Sequence, residues 1–169
     1  MAITLEQLAD DIRAVLTSQP DAAGKQKVCE IVSKALLDQD FIATHLKDRA
    51  EGEHPREVLY EDPNLGFCIC GHVYTGSSNG EPHDHGSSWA IYGQATGETM
   101  MTDWKIVDPG SATAPKRVEK IKTYPMKPGD AHYYDVGAVH SPSRDGVVKL
   151  IRIEGANLDH VQRSNIKAA

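Results

Sequence analysis

Several things are scarce in this sequence. Of 169 residues only three are cysteine, two are phenylalanine and two are tryptophan, and aromatics make up 6%. Cys29, Cys68 and Cys70 are odd in number and follow no framework spacing. That excludes a disulfide scaffold and predicts a reducing, cytoplasmic setting. Basic residues are in the minority, 18 against 24 acidic, for a net charge of −6. The deficit excludes nucleic acid and anionic membrane surfaces as default partners, since both require basic patches. No apolar run approaches the roughly 18 residues of a bilayer span. The opening MAITLEQLADDIRAVL is acidic and amphipathic and lacks the basic start and apolar core of a secretion signal. Internal repeats and low-complexity segments are missing as well. What is present, 40% hydrophobic and 25% charged residues, is the composition of one globular domain with room for a core.

The first part of the chain reads as helices. Thr4 is a helix cap with Gln7 in the capping-box position, and Leu5, Leu8, Ile12, Val15 and Leu16 recur at helical spacing. A second helix is predicted from Asp21, with Val28, Ile31, Val32, Ala35 and Leu36 on one face, and a short third from Asp40 to Arg49. From about Leu59 the pattern changes to short alternating or β-branched runs: GFCICGHVY, SWAIYGQA, ETMMTDWKIV, KRVEKIKTY, AHYYDV, GAVHSP and VVKLIRIEG. Turn clusters such as GSSNGEP, DPGSATAP, KPGD and SRDG separate them. Short strands at such spacing predict a β-sandwich or barrel. The expected organisation is a single domain: a helical part over residues 1–57, a barrel over 58–155, and a polar tail over 156–169 with one helical turn. Trp89 and Trp104 are expected in the core, and Cys68 and Cys70 are two small buried residues on one strand face.

Chemistry concentrates in the histidines. His45, His54, His72 and His160 have no neighbouring ligand-type partner and read as structural or solvated. His83 and His85 in EPHDHGSSW differ, because in a strand residues i and i+2 share a face and their imidazoles converge. Neutral imidazole is the commonest metal ligand. A third would come from His140 in GAVHSPS or from His132 in KPGDAHYYD. Tyr92 and Gln94 follow on the next strand, with Tyr133 and Tyr134 as further inward candidates, and Asp84 points to the face opposite the ligands.

HDH after a Gly-rich loop, then a strand, a Gly turn, a second strand and a late single His, resembles the cupin superfamily of metal-binding β-barrels. HDHGSSWAIYGQATGETMMTDW is similar to its thiol dioxygenase branch, the cysteine and 3-mercaptopropionate dioxygenases, and VGAVHSPS matches the late histidine. The resemblance covers roughly residues 58–155, with specific motifs at 83–98 and 137–142. It implies a cupin-type double-stranded β-helix (jelly-roll barrel) with an N-terminal helical part. It also implies Fe(II) held by His83, His85 and His140, which favours His140 over His132. The usual cupin glutamate is replaced by Trp89 and Ala90, so the three-histidine version fits, and Glu98 is expected to face out.

The sequence departs from that branch around the metal. EVLYEDPNLGFCICGHVY has no arginine to hold a substrate carboxylate, with Arg56 placed before the strand. The Ser-His-Tyr set of the last strand is replaced by residues of VVKLIRIEG, with Arg152 and Glu154 in one register. A loosely defined group of predicted metal-dependent double-stranded β-helix enzymes is a further resemblance. The expected function is a non-haem Fe(II) dioxygenase acting on a small thiol or other small metabolite with O₂. In it Tyr92 is catalytic and Gln94, Tyr134 and Arg152 bind substrate. Imidazole also takes zinc, nickel or manganese, so a metal-dependent isomerase, lyase or hydrolase needing no O₂ is the alternative, followed by a non-enzymatic ligand-binding module. A homodimer is a further expectation, because edge strands of such barrels pair.

Overall fold

The computed structural model describes residues 2–169. Three helices come first. In α1 (Leu5–Ser18) the Thr4 hydroxyl accepts from Gln7 N at 3.1 Å. Only half of the capping box forms, because the Gln7 side chain donates forward to Asp11 instead. Asp21 caps α2 (Ala22–Leu36) by accepting from Gly24 N at 3.0 Å. The third helix, α3 (Gln39–His45), is shorter than its expected run to Arg49. Leu46 leaves the helical conformation and buries its side chain against Gly71, where a Cβ would lie 2.9 Å from it.

Ten strands follow: β1 (Arg56–Glu61), β2 (Cys68–Tyr74), β3 (Ser78–Asn79), β4 (Ala90–Thr96), β5 (Thr99–Asp108), β6 (Lys116–Met126), β7 (Ala131–Tyr134), β8 (Val139–Arg144), β9 (Val148–Glu154) and β10 (Ile166–Ala168). They form two five-stranded sheets, ordered β1-β2-β9-β4-β7 and β10-β6-β5-β8-β3. Successive strands are shared out between the two sheets, and this strand order is that of a double-stranded β-helix, or jelly roll.

Period-two alternation divides each strand of the first sheet between two environments. Ile91 and Ala95 of β4, Ile151 and Ile153 of β9, and Ile69 and Val73 of β2 face the helices. There they meet Leu8, Ile12, Val28, Val32 and Leu36 in the main hydrophobic core. The other parity points into the barrel: Ala90 and Tyr92 of β4 join Met101, Met126 and Tyr134 in a second cluster. The polar residues Cys70, His72, Gln94, Arg152 and Glu154 are interior by the same parity and are buried. Both sides of the first sheet are therefore covered, which is why GFCICGHVY and VVKLIRIEG carry few exposed residues.

Several elements differ from expectation. REVLYE is a strand, and Arg56 opens it instead of preceding it. The tail is more than a helical turn: after the 3₁₀ turn Leu158–His160, β10 pairs in parallel with β6, Ile166 opposite Lys116. Trp89 and Trp104 are half-buried. Trp89 sits at the edge of the helix-side core with Lys25 over its ring, and Trp104 donates to Ser141 Oγ at 2.8 Å. All three cysteines are buried and free. No described helix is long and apolar enough to cross a membrane.

Candidate metal centre

The HDH segment is extended but is not a regular strand. His83 makes an isolated bridge to His140 of β8: each amide donates to the other's carbonyl at 3.0 Å. This pins the first histidine beside the third. His85 then reaches the same point from the loop, just before the turn at Gly86. One ligand nitrogen from each of His83, His85 and His140 falls within 4.8 Å of the other two. That spread is close to the span of two metal–imidazole bonds of about 2.1 Å each. His132 lies outside the group, exposed on β7 with its ring 4.9 Å from Tyr124, and Glu98 is exposed in the turn after β4.

The cluster suits a cation better than a proton. Burial is the first cause that lowers the His83 pKa from its ordinary 6.5 to about 4, with the charges of Arg163 and Arg152 adding to it. His85 and His140 are pushed further down, again by burial first and then by a neighbouring histidine of the cluster. All three are therefore neutral at physiological pH and present lone pairs. His83 Nδ1 lies 2.9 Å from the Glu81 carbonyl, which fixes Nδ1 as the protonated nitrogen and leaves Nε2 as the donor. The donor set thus fits a divalent transition metal.

Tyr92 stands at the centre of the group. Its hydroxyl lies 3.0 Å from His85 Nε2 and 3.2 Å from His140 Nε2, and it accepts from Arg152 Nη1 at 3.2 Å. Arg152 is held in turn by Glu154, whose Oε1 accepts from Nε at 2.9 Å and Nη2 at 2.7 Å. Glu154 also takes both arms of Arg56, at 3.1 and 2.7 Å, and the Leu158 amide at 3.1 Å. Burial alone would raise the Glu154 carboxyl, but the two arginines outweigh it and its pKa falls below the usual range. Tyr134 covers the other side of His140, rings stacked at 4.2 Å, and its hydroxyl bonds that of Tyr124 at 2.6 Å. Beyond it opens a recess of about 260 Å³ lined by Trp104, Lys122, Tyr124, His132 and Tyr134. Gln94 is buried deeper in the barrel, its Nε2 donating to the Thr96 carbonyl.

Two contributors escape a reading of the sequence. Asp84 does turn away from the imidazoles, but it is buried, and its Oδ1 accepts from Gly86 N and Ser164 N, both at 3.0 Å. It thereby ties the metal loop to the C-terminal segment. That segment brings the exposed Arg163 close enough for its charge to lower all three histidines. The only signal for either would have been a polar tail too rich in hydrogen-bonding residues to be idle.

No protein-family model matches the chain, and no curated protein matches it. Solved structures do resemble it. A double-stranded β-helix protein from Klebsiella pneumoniae aligns over 72% of this chain and 85% of its own, at 14% identity and a TM-score of 0.49. A cupin superfamily protein from Desulfitobacterium hafniense aligns over 66% and 84%, at 14% identity and a TM-score of 0.46. KdgF from a Halomonas species aligns over 67% and 90%, at 14% identity and a TM-score of 0.47. At these identities the likeness is one of fold and carries no chemistry.

Proposed function

We propose that the three histidines bind Fe(II) and that the protein is a non-haem dioxygenase acting on a small anionic thiol or related metabolite. The observation that carries this reading is the convergence of three neutral imidazoles on one point inside the barrel, two of them, His85 and His140, in contact with the Tyr92 hydroxyl. His83, His85 and His140 would hold the ion. A neutral ligand set would leave the full charge on a bound ion, and the chemistry such an ion would supply is charge attraction for an anionic sulfur and redox activation of O₂.

The surrounding residues have separable tasks. Arg152 can only donate, so Tyr92 Oη accepts from it and its own proton is directed toward the imidazole side. The phenol is thereby oriented as a hydrogen-bond donor, and eventual proton donor, to a substrate held at the histidines. Glu154 holds the Arg152 fork in place and shares its single negative charge with Arg56, whose own charge Asp159 offsets at 2.8 Å. Tyr134 walls the site on the recess side and excludes water from His140. Arg163, which has no carboxylate within ion-pair distance among the described residues, offers a fork for the acid end of the substrate.

The test is metal content of protein purified without a histidine tag, wild type against His140→Ala, followed by O₂ uptake with small thiol acids. Stoichiometric iron lost in the variant, with thiol-dependent O₂ consumption, is expected. Zinc or nickel retention with no O₂ uptake after Fe(II) loading would replace this reading with non-oxidative metal chemistry.

A further inference from the structure

The barrel holds a third inward arginine that the metal centre does not use. Arg144 lies on β8 with the same parity as His140, four residues further on, which is roughly 13 Å along a strand. It is 7% exposed. Among the described residues it has no hydrogen-bond partner and no carboxylate within ion-pair distance, and its Nε is fully buried and unpaired. One face of the guanidinium is covered by Tyr74, whose ring centroid lies 3.9 Å from Cζ. The edge of the fork, where its N–H groups point, is left to a ligand.

Other unpaired donors share this end of the barrel. Thr99 is directly opposite Arg144 in the β5–β8 register, and its buried Oγ1 has no partner. Tyr74 Oη lies 3.1 Å from His72 Nδ1, and the buried Nε2 of that same imidazole is unpaired. After burial, the charges of Arg152, Arg56 and Arg144, in that order, lower His72, so this imidazole lies within reach of Arg144 as well as of the arginines beside it. The guanidinium and the hydroxyl are buried without partners, and the imidazole, with Tyr74 Oη donating to its Nδ1, keeps a buried Nε2–H free as a third donor. Buried polar groups rarely go unpaired, and a buried cation least of all. Water could satisfy the hydroxyl and the imidazole, but only an anion also balances the guanidinium.

We propose that Arg144, Thr99 and His72 form a second site, distinct from the metal centre, that binds a small carboxylate-type oxyanion. The carboxylate is either an independent small anion or the remote acid group of a long substrate whose other end reaches the histidines; the latter rests on the proposed function.

The test is equilibrium dialysis with radiolabelled acetate, together with thermal melts over an acetate series, on the full chain. Wild type is expected to take up acetate and to melt higher as acetate rises. Arg144→Met is expected to bind at least about tenfold more weakly, as loss of a charge-assisted fork predicts. It should also melt no lower than anion-free wild type, because the unpaired charge is gone. Equal uptake by wild type and Arg144→Met, or no uptake by folded wild type, overturns the site. Should Arg144→Met not fold, Arg144→Lys keeps the charge without the fork, and binding as tight as wild type would overturn the proposal in its place. His140→Ala separates the two readings. Acetate uptake that survives in it while metal is lost establishes the anion site whatever the metal chemistry. Glutarate binding that needs both Arg144 and the loaded metal identifies the anion as the far end of a substrate.

Discussion

At the scale of single residues, the candidate chemistry turns on one oxygen. Tyr92 Oη contacts two imidazoles and a guanidinium, so Tyr92→Phe removes a donor while leaving the ring's packing against Tyr134 intact. Metal content should be unchanged, turnover should fall by about 100-fold, the low end for a lost acid–base group, and stability by about 1 kcal/mol for the orphaned Arg152 N–H. Iron content and O₂ uptake on one preparation check this, and an unchanged rate would remove Tyr92 from the mechanism. Glu154 carries a different load. Its side chain is wholly buried between Arg152 and Arg56, and Glu154→Gln leaves two guanidinium groups facing a neutral amide. Breaking a buried pair of this kind costs about 3 kcal/mol or more; a denaturant titration showing less than a third of that would mean the network is locally solvated. The sequence offers Arg152 and Glu154 as one register of VVKLIRIEG, but Arg56, the second arginine on Glu154, stands 98 residues before it. A pairing at that separation is set by the order of strands in the sheet, which no local pattern encodes.

At the scale of elements, the metal loop and the C-terminal segment form one unit. Gly86 has a φ of +58°, and a Cβ there would lie 2.2 Å from the Gln162 carbonyl. Asp84, between the two ligands, binds amides on both sides of this contact. Gly86→Ala should therefore detach residues 157–169 without unfolding the barrel, and lower metal affinity by about tenfold or more, as loss of supporting contacts around a metal site does. Hydrogen exchange would show faster labelling of the tail and of residues 84–88, with β2, β4 and β9 unchanged; faster exchange throughout would place the effect in the core instead. The same elements mark what a sequence can disclose. β2, β4 and β9 are legible because both their faces are buried and apolar or β-branched residues fill the helix side. β1 is not, since REVLYE carries charges at both ends and a register shift between Val58 and Tyr60 breaks its alternation. β10 is only three residues long, and its parallel pairing with β6 depends on the tail first crossing the metal loop. The convergence of His83, His85 and His140 was readable from residue type and from likeness to known barrels. The bridge that enforces it, His83 to His140, joins a loop to a strand and has no local signature.

At the scale of the whole molecule, the barrel encloses imidazoles that folding keeps neutral. His72, His83, His85 and His140 all have depressed pKa values, with burial the first cause in each. In the unfolded chain they titrate near 6.5, so below that pH the unfolded state binds protons that the folded state refuses. Stability must then fall as pH drops from 6.5 toward about 4, where His83 itself begins to protonate in the fold. Each imidazole still refusing its proton adds a slope of up to about 1.4 kcal/mol per pH unit. The carboxylates act later and in the same direction. Asp84 and Glu154 are held below their ordinary 3.8 and 4.5, so their stabilisation is complete above those values and is lost as pH falls through the lowered ones. Chelator-treated protein should therefore lose stability in two stages, a first between pH 6.5 and about 4 carried by all four imidazoles, and a second below it in which the carboxylates join the imidazoles that still refuse their protons. Metal binds only the neutral imidazoles, and the fold keeps its ligands neutral through the first stage, so the metal increment persists there and is displaced by protons only toward the acid end, near pH 4 and below. His72→Leu separates the contributions, because His72 is buried like the others but lies outside the ligand cluster. It should flatten the slope between pH 6.5 and 4 in the metal-free protein while leaving the metal-dependent increment in place. Denaturant midpoints measured across that window with and without metal decide it. A metal-free midpoint that stays level from pH 7 to 5 would mean these imidazoles are hydrated in the folded barrel.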